Sequence, residues 1–459
     1  MLYKKLKDYS KSSVYPFHMP GHKRLDINGD GNLPYNLDLT EINGFDDLHN
    51  PNGCIRDIEN TAAEVYNVNN ALILVNGATG GILSAIRSMT KRGDRVLVAR
   101  NCHKSVYNAV ELMGLKPEYI LPEQTGFGFF GKISPEEVEK KLTEFRDIRL
   151  VIITSPTYEG VCSNIAQISE ICRKYDVKLF ADEAHGAHFP FHKAFPCSAV
   201  LQGADASVIS LHKTLPSLTQ TALLLTNDSV LADKLRMNSA VFESSSPSYI
   251  LMASIECCLS FLKNSKTAFD EYIKRLLLFY DRAKQLKKLS LFNCAGRDPG
   301  KLVILTGRTK LTGHRLADIL RTKYRLETEM SSVDYVTAIT SVCDTSEGFE
   351  RLFNALLEID AGCQPDNEKP LKIEFELPER KFFSYEKENF KPLKMALKNA
   401  VGKVSLEYVF AYPPGIPVIV PGEVLTGKTY ENISYQINNG VEIISSEKNL
   451  PHYLSVAEL

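Results

Sequence analysis

An excess of charge is the first thing this sequence lacks: 54 Lys and Arg stand against 55 Asp and Glu, a formal net charge of -1 over 459 residues. That balance offers no electrostatic footprint for nucleic acid or for an anionic membrane surface. Long apolar runs are missing too. No stretch approaches the roughly 18 uncharged residues that a membrane-spanning helix needs. The basic start, MLYKKLKDYSKSSVYPFHMPGHKR, is not followed by the apolar segment of a secretory signal. No CxxC occurs among the ten cysteines, which are scattered at 54, 102, 162, 172, 197, 257, 258, 294, 343 and 363. Such spacing argues against a disulfide framework and against zinc, and the expectation is buried thiols in a reducing cytosol. There is no internal repeat and no low-complexity tract. What remains is a globular chain, 44% hydrophobic and 24% charged, long enough for one large and one smaller domain.

What is there is a repeating order of strand, turn and helix between about residues 70 and 230. ALILV (71–75) leads into NGATGG and a helical run, and DRVLVAR (94–100) into NCHKS and another. RLVIIT (149–154), KLFAD (178–182) and ASVIS (206–210) follow. Short Val/Ile/Leu-rich strands alternating with amphipathic helices predict an α/β fold whose parallel sheet is covered on both faces. Ligands in such sheets bind at the carboxyl ends of the strands. Beyond about residue 265 the texture becomes α+β, with strands expected at KLVILTG, YVTAITSV and LKIEFEL and helices at HRLADILRTKY and SEGFERLFNALLEI. The expected division is therefore 1–265 for a large domain and 266–459 for a smaller C-terminal one. Prolines and glycines in AYPPGIPVIVPGE (411–423) argue against any regular element there.

Chemistry-bearing residues fall just after the strands. Lys213 closes ASVISLHK, Asp182 closes KLFAD, His103 follows VLVAR, and the turn at 76–81 opens a helix with Gly77, Thr79 and the amides of Thr79, Gly80 and Gly81. Singly, each has a plainer reading: a solvated lysine, an aspartate cap, a surface histidine, a generic glycine turn. Together they supply what pyridoxal chemistry requires. A lysine forms the Schiff base and a carboxylate keeps the pyridine nitrogen protonated. A planar ring stacks on the cofactor, and a helix start receives its phosphate.

The chain resembles the ornithine/lysine/arginine decarboxylase family, of fold type I, through PFHMPGHK (16–23), DLTEINGFDDLHNPNG (38–53), RNCHKS (100–105), SPTYEG (155–160), DEAHGAHF (182–189), SLHKTLPSLTQT (210–221), SSSPSY (244–249) and YPPGIPVIVPGE (412–423). The resemblance implies a pyridoxal 5′-phosphate enzyme that decarboxylates a basic amino acid in polyamine biosynthesis. Arginine, giving agmatine, is the first choice, with lysine and ornithine open. It implies Lys213 as the Schiff-base lysine, Asp182 as partner of the pyridine nitrogen and His103 as the stacking ring. His185 would neighbour a cofactor oxygen or the substrate carboxylate, and His212 or Lys213 would return a proton. The phosphate would be held by the Ala78-Thr79-Gly80 turn, Ser210 and His212, and by Ser246 of a neighbouring subunit in a homodimer with shared sites; as a helix cap, Ser246 has a plainer reading. No metal, nucleic acid or membrane partner is implied, and the location is cytoplasmic. The phosphate turn departs from the family's usual G-T-S-G, and PFHMPGHK at residue 16 matches the short branch without an N-terminal wing. Glu41, Asp46 and Asp47 are candidates to read a cationic side chain. The alternatives are another fold type I enzyme, an aminotransferase or lyase gripping a carboxylate with Arg56 or Arg236, or a catalytically silent cofactor-binding protein.

Overall fold

The computed structural model describes residues 1–12, 19–20, 22–25, 33–366, 375–412 and 415–458. Much of PFHMPGHK, residues 371–374 of LKIEFEL, and 413–414 lie outside that set. The chain forms two compact units, the first of residues 1–90 and 178–270, the second of 91–177 and 271–459.

In the first unit, strand Asn70–Leu74 pairs antiparallel with Ala222–Thr226, and that strand pairs antiparallel with Ala206–Ser210. Ala206–Ser210 in turn runs parallel to Lys178–Asp182. Leu72, Leu179, Phe180, Val208 and Leu224 are all buried. Each such side chain contributes about 1.5–3 kcal/mol by leaving water. Helix Gly77–Met89 covers these strands. Strand Ala222–Thr226 is absent from the sequence reading, and among these four it alone is reversed: Asn70–Leu74, antiparallel to it, runs in the same direction as Ala206–Ser210, in keeping with a mostly parallel sheet. A short connection without a crossover helix separates 222–226 from 206–210, and only antiparallel neighbours tolerate that. Helix Tyr249–Leu262 buries Tyr249, Met252, Ile255, Leu259 and Leu262 against helices Leu2–Ser10 and Cys54–Tyr66. Its high apolar content is thus largely used inside its own unit.

In the second unit, Arg95–Ala99 runs parallel to both Lys116–Ile120 and Ile148–Thr154. The C-terminal part carries smaller antiparallel sheets, one built on Lys301–Leu305 and Tyr335–Ile339, with helices Gly313–Tyr324 and Ser346–Gly362 as expected. Residues 375–377 of LKIEFEL are not strand. The proline-rich segment corrects the reading in the other direction. Val409–Tyr412 and Ile416–Ile419 pair as strands, with Phe410 opposite Pro417. Among the described residues, Ile416–Ile419 is an edge strand whose neighbour is Val409–Tyr412. An edge can accept a proline because one row of its amides needs no partner strand.

All ten cysteines are free thiols, and Cys197, Cys257 and Cys343 are exposed rather than buried. Among the described residues no helix is long and apolar enough to cross a membrane, and no His/Cys/Asp/Glu group could hold a metal.

Candidate active site

Asp182 ends its strand with 4% of its surface exposed, and its Oδ1 accepts the Ala184 amide at 3.1 Å. Burial pushes its pKa up, while the charge of Lys213 and the Ala184 amide pull it back. Lys213 emerges in the single helical turn Leu211–Thr214, directly beyond strand 206–210. Its Nζ lies 3.0 Å from Nε2 of the buried His185. An ammonium has only hydrogens to give, so Nε2 accepts and a neutral His185 carries its proton on Nδ1. The end of one strand and the loop after its neighbour therefore bring a carboxylate, an amine and an imidazole together in one buried place.

Two buried hydroxyls flank the lysine in sequence. Ser210 Oγ and Thr214 Oγ1 are buried without a hydrogen-bond partner among the described residues. An unmet buried hydroxyl costs free energy unless something else satisfies it, so these two suit a polar ligand. His212 is spent differently: its Nδ1 donates to the Thr221 carbonyl at 3.1 Å. Burial lowers its pKa and the Lys213 charge adds to this, while the Thr221 bond opposes them.

The turn expected to receive a phosphate is held by its own backbone. Gly77 has φ +70, and its amide donates to the Gln220 carbonyl at 2.9 Å. The Gly80 amide, expected to be free, donates to the Asn76 carbonyl at 3.4 Å. Ala78 is half-buried and Thr79 exposed in the first turn of the helix. Ser246 is exposed in the loop before helix 249–262, its amide donating to Ser244 Oγ at 3.1 Å. The cap of that helix is Ser248, not Ser246. His103 belongs to the second unit, where it caps helix Lys104–Leu112 and its Nδ1 lies 2.8 Å from Ser105 Oγ.

The acids proposed to read the substrate are not equivalent. Asp46 has φ +68 and accepts the amides of Asp47, Asn52, Gly53 and Ile55 at 2.8–3.0 Å, so its carboxylate holds the start of helix 54–66. Burial would raise its pKa, but those four amides outweigh it and the net direction is down. Asp47 accepts the His49 amide. Arg56 and Arg236 both bond the buried Glu59, at 3.3 and 2.7 Å, which accounts for the two arginines offered as carboxylate grips.

Sequence reasoning missed three acids. Glu183 is fully buried, accepts Ser198 Oγ at 2.9 Å and the Ala199 amide at 3.0 Å, and burial pushes its pKa up to about 8. Its place inside DEAHGAH was a usable signal. Glu423 forms a buried double hydrogen bond with Arg100, at 2.9 and 2.8 Å, tying the PGE segment to the turn that carries His103. Glu243 sits beside the 76–80 turn, and nothing in its sequence context marks it.

The family description "Orn/Lys/Arg decarboxylase, major domain" matches residues 1–304, and the matching C-terminal domain description covers 379–439. The chain belongs to the Orn/Lys/Arg decarboxylase family. It is 31% identical to an arginine decarboxylase of Bacillus subtilis over 99% of this chain and 97% of that one. An arginine decarboxylase of Bacillus anthracis is 30% identical, over 97% and 94%. Among solved structures, a Francisella novicida lysine decarboxylase superposes with a TM-score of 0.87 at 20% identity, covering all of this chain and 81% of that chain. An alanine–glyoxylate aminotransferase of Nostoc reaches 0.55 over 66% of this chain and 86% of its own, at 15% identity. These two likenesses concern the fold, and they bear out the fold type I expectation.

Proposed function

We propose that this chain is a pyridoxal 5′-phosphate-dependent carboxy-lyase that acts on a basic amino acid, with arginine as first substrate and agmatine as product. The observation that carries the reading is Lys213 Nζ at 3.0 Å from His185 Nε2, beside the buried Asp182, in a chain of this family. Lys213 would hold the cofactor covalently and Asp182 would partner its ring nitrogen. Ser210, Thr214 and the start of helix 77–89 would take its phosphate. When bound, the cofactor supplies a sink for the electron pair left behind by departing carbon dioxide.

The chain's own groups do the rest. Asp182, buried and close to the Lys213 charge, would in its ionised form favour a positive charge facing it and make that charge costly to lose. Lys213 Nζ would return a proton to the carbon that has lost its carboxylate, and His185 Nε2, 3.0 Å away, would exchange that proton with it. His212, bonded to the Thr221 carbonyl, orients the turn that carries Lys213. His103 would stack on the cofactor ring. The chain would work in the cytoplasm in polyamine synthesis, as a homodimer in which Ser246 completes the partner's site, with domains dividing near residue 265. An aminotransferase would need an arginine for the substrate carboxylate, and the two candidates in the first unit are engaged by Glu59.

Lys213→Ala tests the reading. It should abolish both the visible absorbance of lysine-bound cofactor and carbon-dioxide release from arginine, lysine and ornithine. Intact absorbance in that variant would overturn the assignment.

A further inference from the structure

We propose that Glu243 makes phosphate binding at the start of helix 77–89 depend on a proton: its neutral carboxyl admits a phosphate monoester, and its carboxylate repels one. This rests on the functional reading above, which places the cofactor phosphate at that helix start.

Glu243 follows helix Ser229–Phe242 and is 8% exposed. Its Oε2 accepts the Val75 amide at 3.0 Å. Its Oε1 is buried and makes no well-formed hydrogen bond among the described residues, although the Asn76 amide also faces the carboxyl. That oxygen is aimed at the first turn of the helix. A Cβ built on Gly80 would stand 2.7 Å from Oε1, so glycine is what lets the carboxyl approach the backbone there. Helix starts favour anions through their free amides and the axial dipole. An ionised Glu243 would itself be the anion beside that turn, and a phosphate arriving next to it would meet like charge. A neutral Glu243 is a different object. With Oε2 accepting from Val75, the hydroxyl sits on Oε1, which then becomes a donor in search of an acceptor.

The surroundings leave this balance to burial. Burial raises the pKa of Glu243 to about 7, opposed by the amides of Val75 and Asn76. On helix 77–89 the nearby cation is Arg87, which lies over the Phe242 ring at 6.0 Å. From the 38–53 segment, His49 Nε2 approaches the Ser244 carbonyl at 2.9 Å. A bound phosphate favours the protonated acid, so its pKa rises on binding. Affinity is therefore full below about pH 7 and falls by up to roughly tenfold per pH unit above it, until the pKa of the bound form is reached.

The test is cofactor retention by the full-length holoenzyme, followed by protein-bound visible absorbance during dialysis against inorganic phosphate at about pH 6 and about pH 8. Glu243→Gln keeps the shape and an acceptor for Val75 but cannot ionise. The wild type should hold cofactor roughly tenfold less tightly, relative to Glu243→Gln, at the higher pH and equally at the lower. Lysine–cofactor chemistry and His49 are common to both proteins and cancel in that ratio. Glu243→Ala, which removes the carboxyl outright, carries the same expectation of no extra loss at high pH. Ser210→Ala serves as a control for the site and should weaken retention at both pH values. If Ser210→Ala weakens retention but wild type and Glu243→Gln behave alike, the role of Glu243 is overturned and the phosphate site stands. If Ser210→Ala binds as tightly as wild type, the phosphate site falls and the role of Glu243 falls with it.

Discussion

Glu423→Gln removes the negative charge from a buried ion pair and leaves its outline, so its penalty can be worked from the geometry. Arg100 is 3% exposed and Glu423 1%. Two hydrogen bonds join them, at 2.9 and 2.8 Å. Arg100 Nη2 also donates to the Val418 carbonyl at 3.2 Å, and Glu423 Oε2 accepts the Val420 amide at 2.8 Å. The Tyr119 ring lies 4.9 Å from the guanidinium. Burial would depress the arginine's pKa; the charge of Glu423 reverses that, so the guanidinium stays charged. Removing one partner of such a pair strands the other in a low-dielectric interior, a loss of about 3–5 kcal/mol. For a unit of this size that is a fall in melting temperature of roughly 5–9 °C. The chain has no tryptophan, so circular dichroism is the natural probe. Arg100→Met should cost as much, whereas Arg100→Met with Glu423→Leu should recover most of the loss, since no charge is then left unpaired. Single variants within about 1 kcal/mol of wild type, or a double variant worse than both singles, would refute the argument.

Asp182→Asn keeps the side chain's size and removes its charge. Turnover should fall by about a hundredfold or more while cofactor affinity falls less than about tenfold, measured by steady-state rates and by titration of bound absorbance. Equal losses would assign Asp182 to structure instead. Mixing Lys213→Ala chains with chains in which Ser246 is replaced by a bulky residue tests the shared site. Exchanged dimers should regain up to one working site, and no recovery after confirmed exchange, or a fully active monomer by sedimentation, would end the shared-site model.

The parts of the site legible in the sequence are those fixed by strand ends. KLFAD and ASVIS are short apolar runs whose last residues must leave the sheet at its carboxyl edge, so Asp182 and the Lys213 turn could be placed before any coordinates. The illegible parts depend on partners that a linear pattern does not display. Asp46 and Asp47 look alike as loop acids. Only the left-handed φ of Asp46 turns its carboxylate toward the amides of residues 52, 53 and 55, and that conformation is invisible in the letters. Pro417 reads as a breaker until the sheet order shows an edge strand, where one row of amides has no strand to bond. Glu243 is the extreme case. A glutamate one residue past a helix is normally solvated, and neither its burial nor its approach to Gly80 has a local signature. Both follow from packing helix 229–242 against helix 77–89, which brings the end of one beside the start of the other. The sequence therefore tells most about groups whose direction is set by their own strand. It tells least about those whose environment is made by a distant element, and the unread acids Glu183, Glu243 and Glu423 all belong to the second kind.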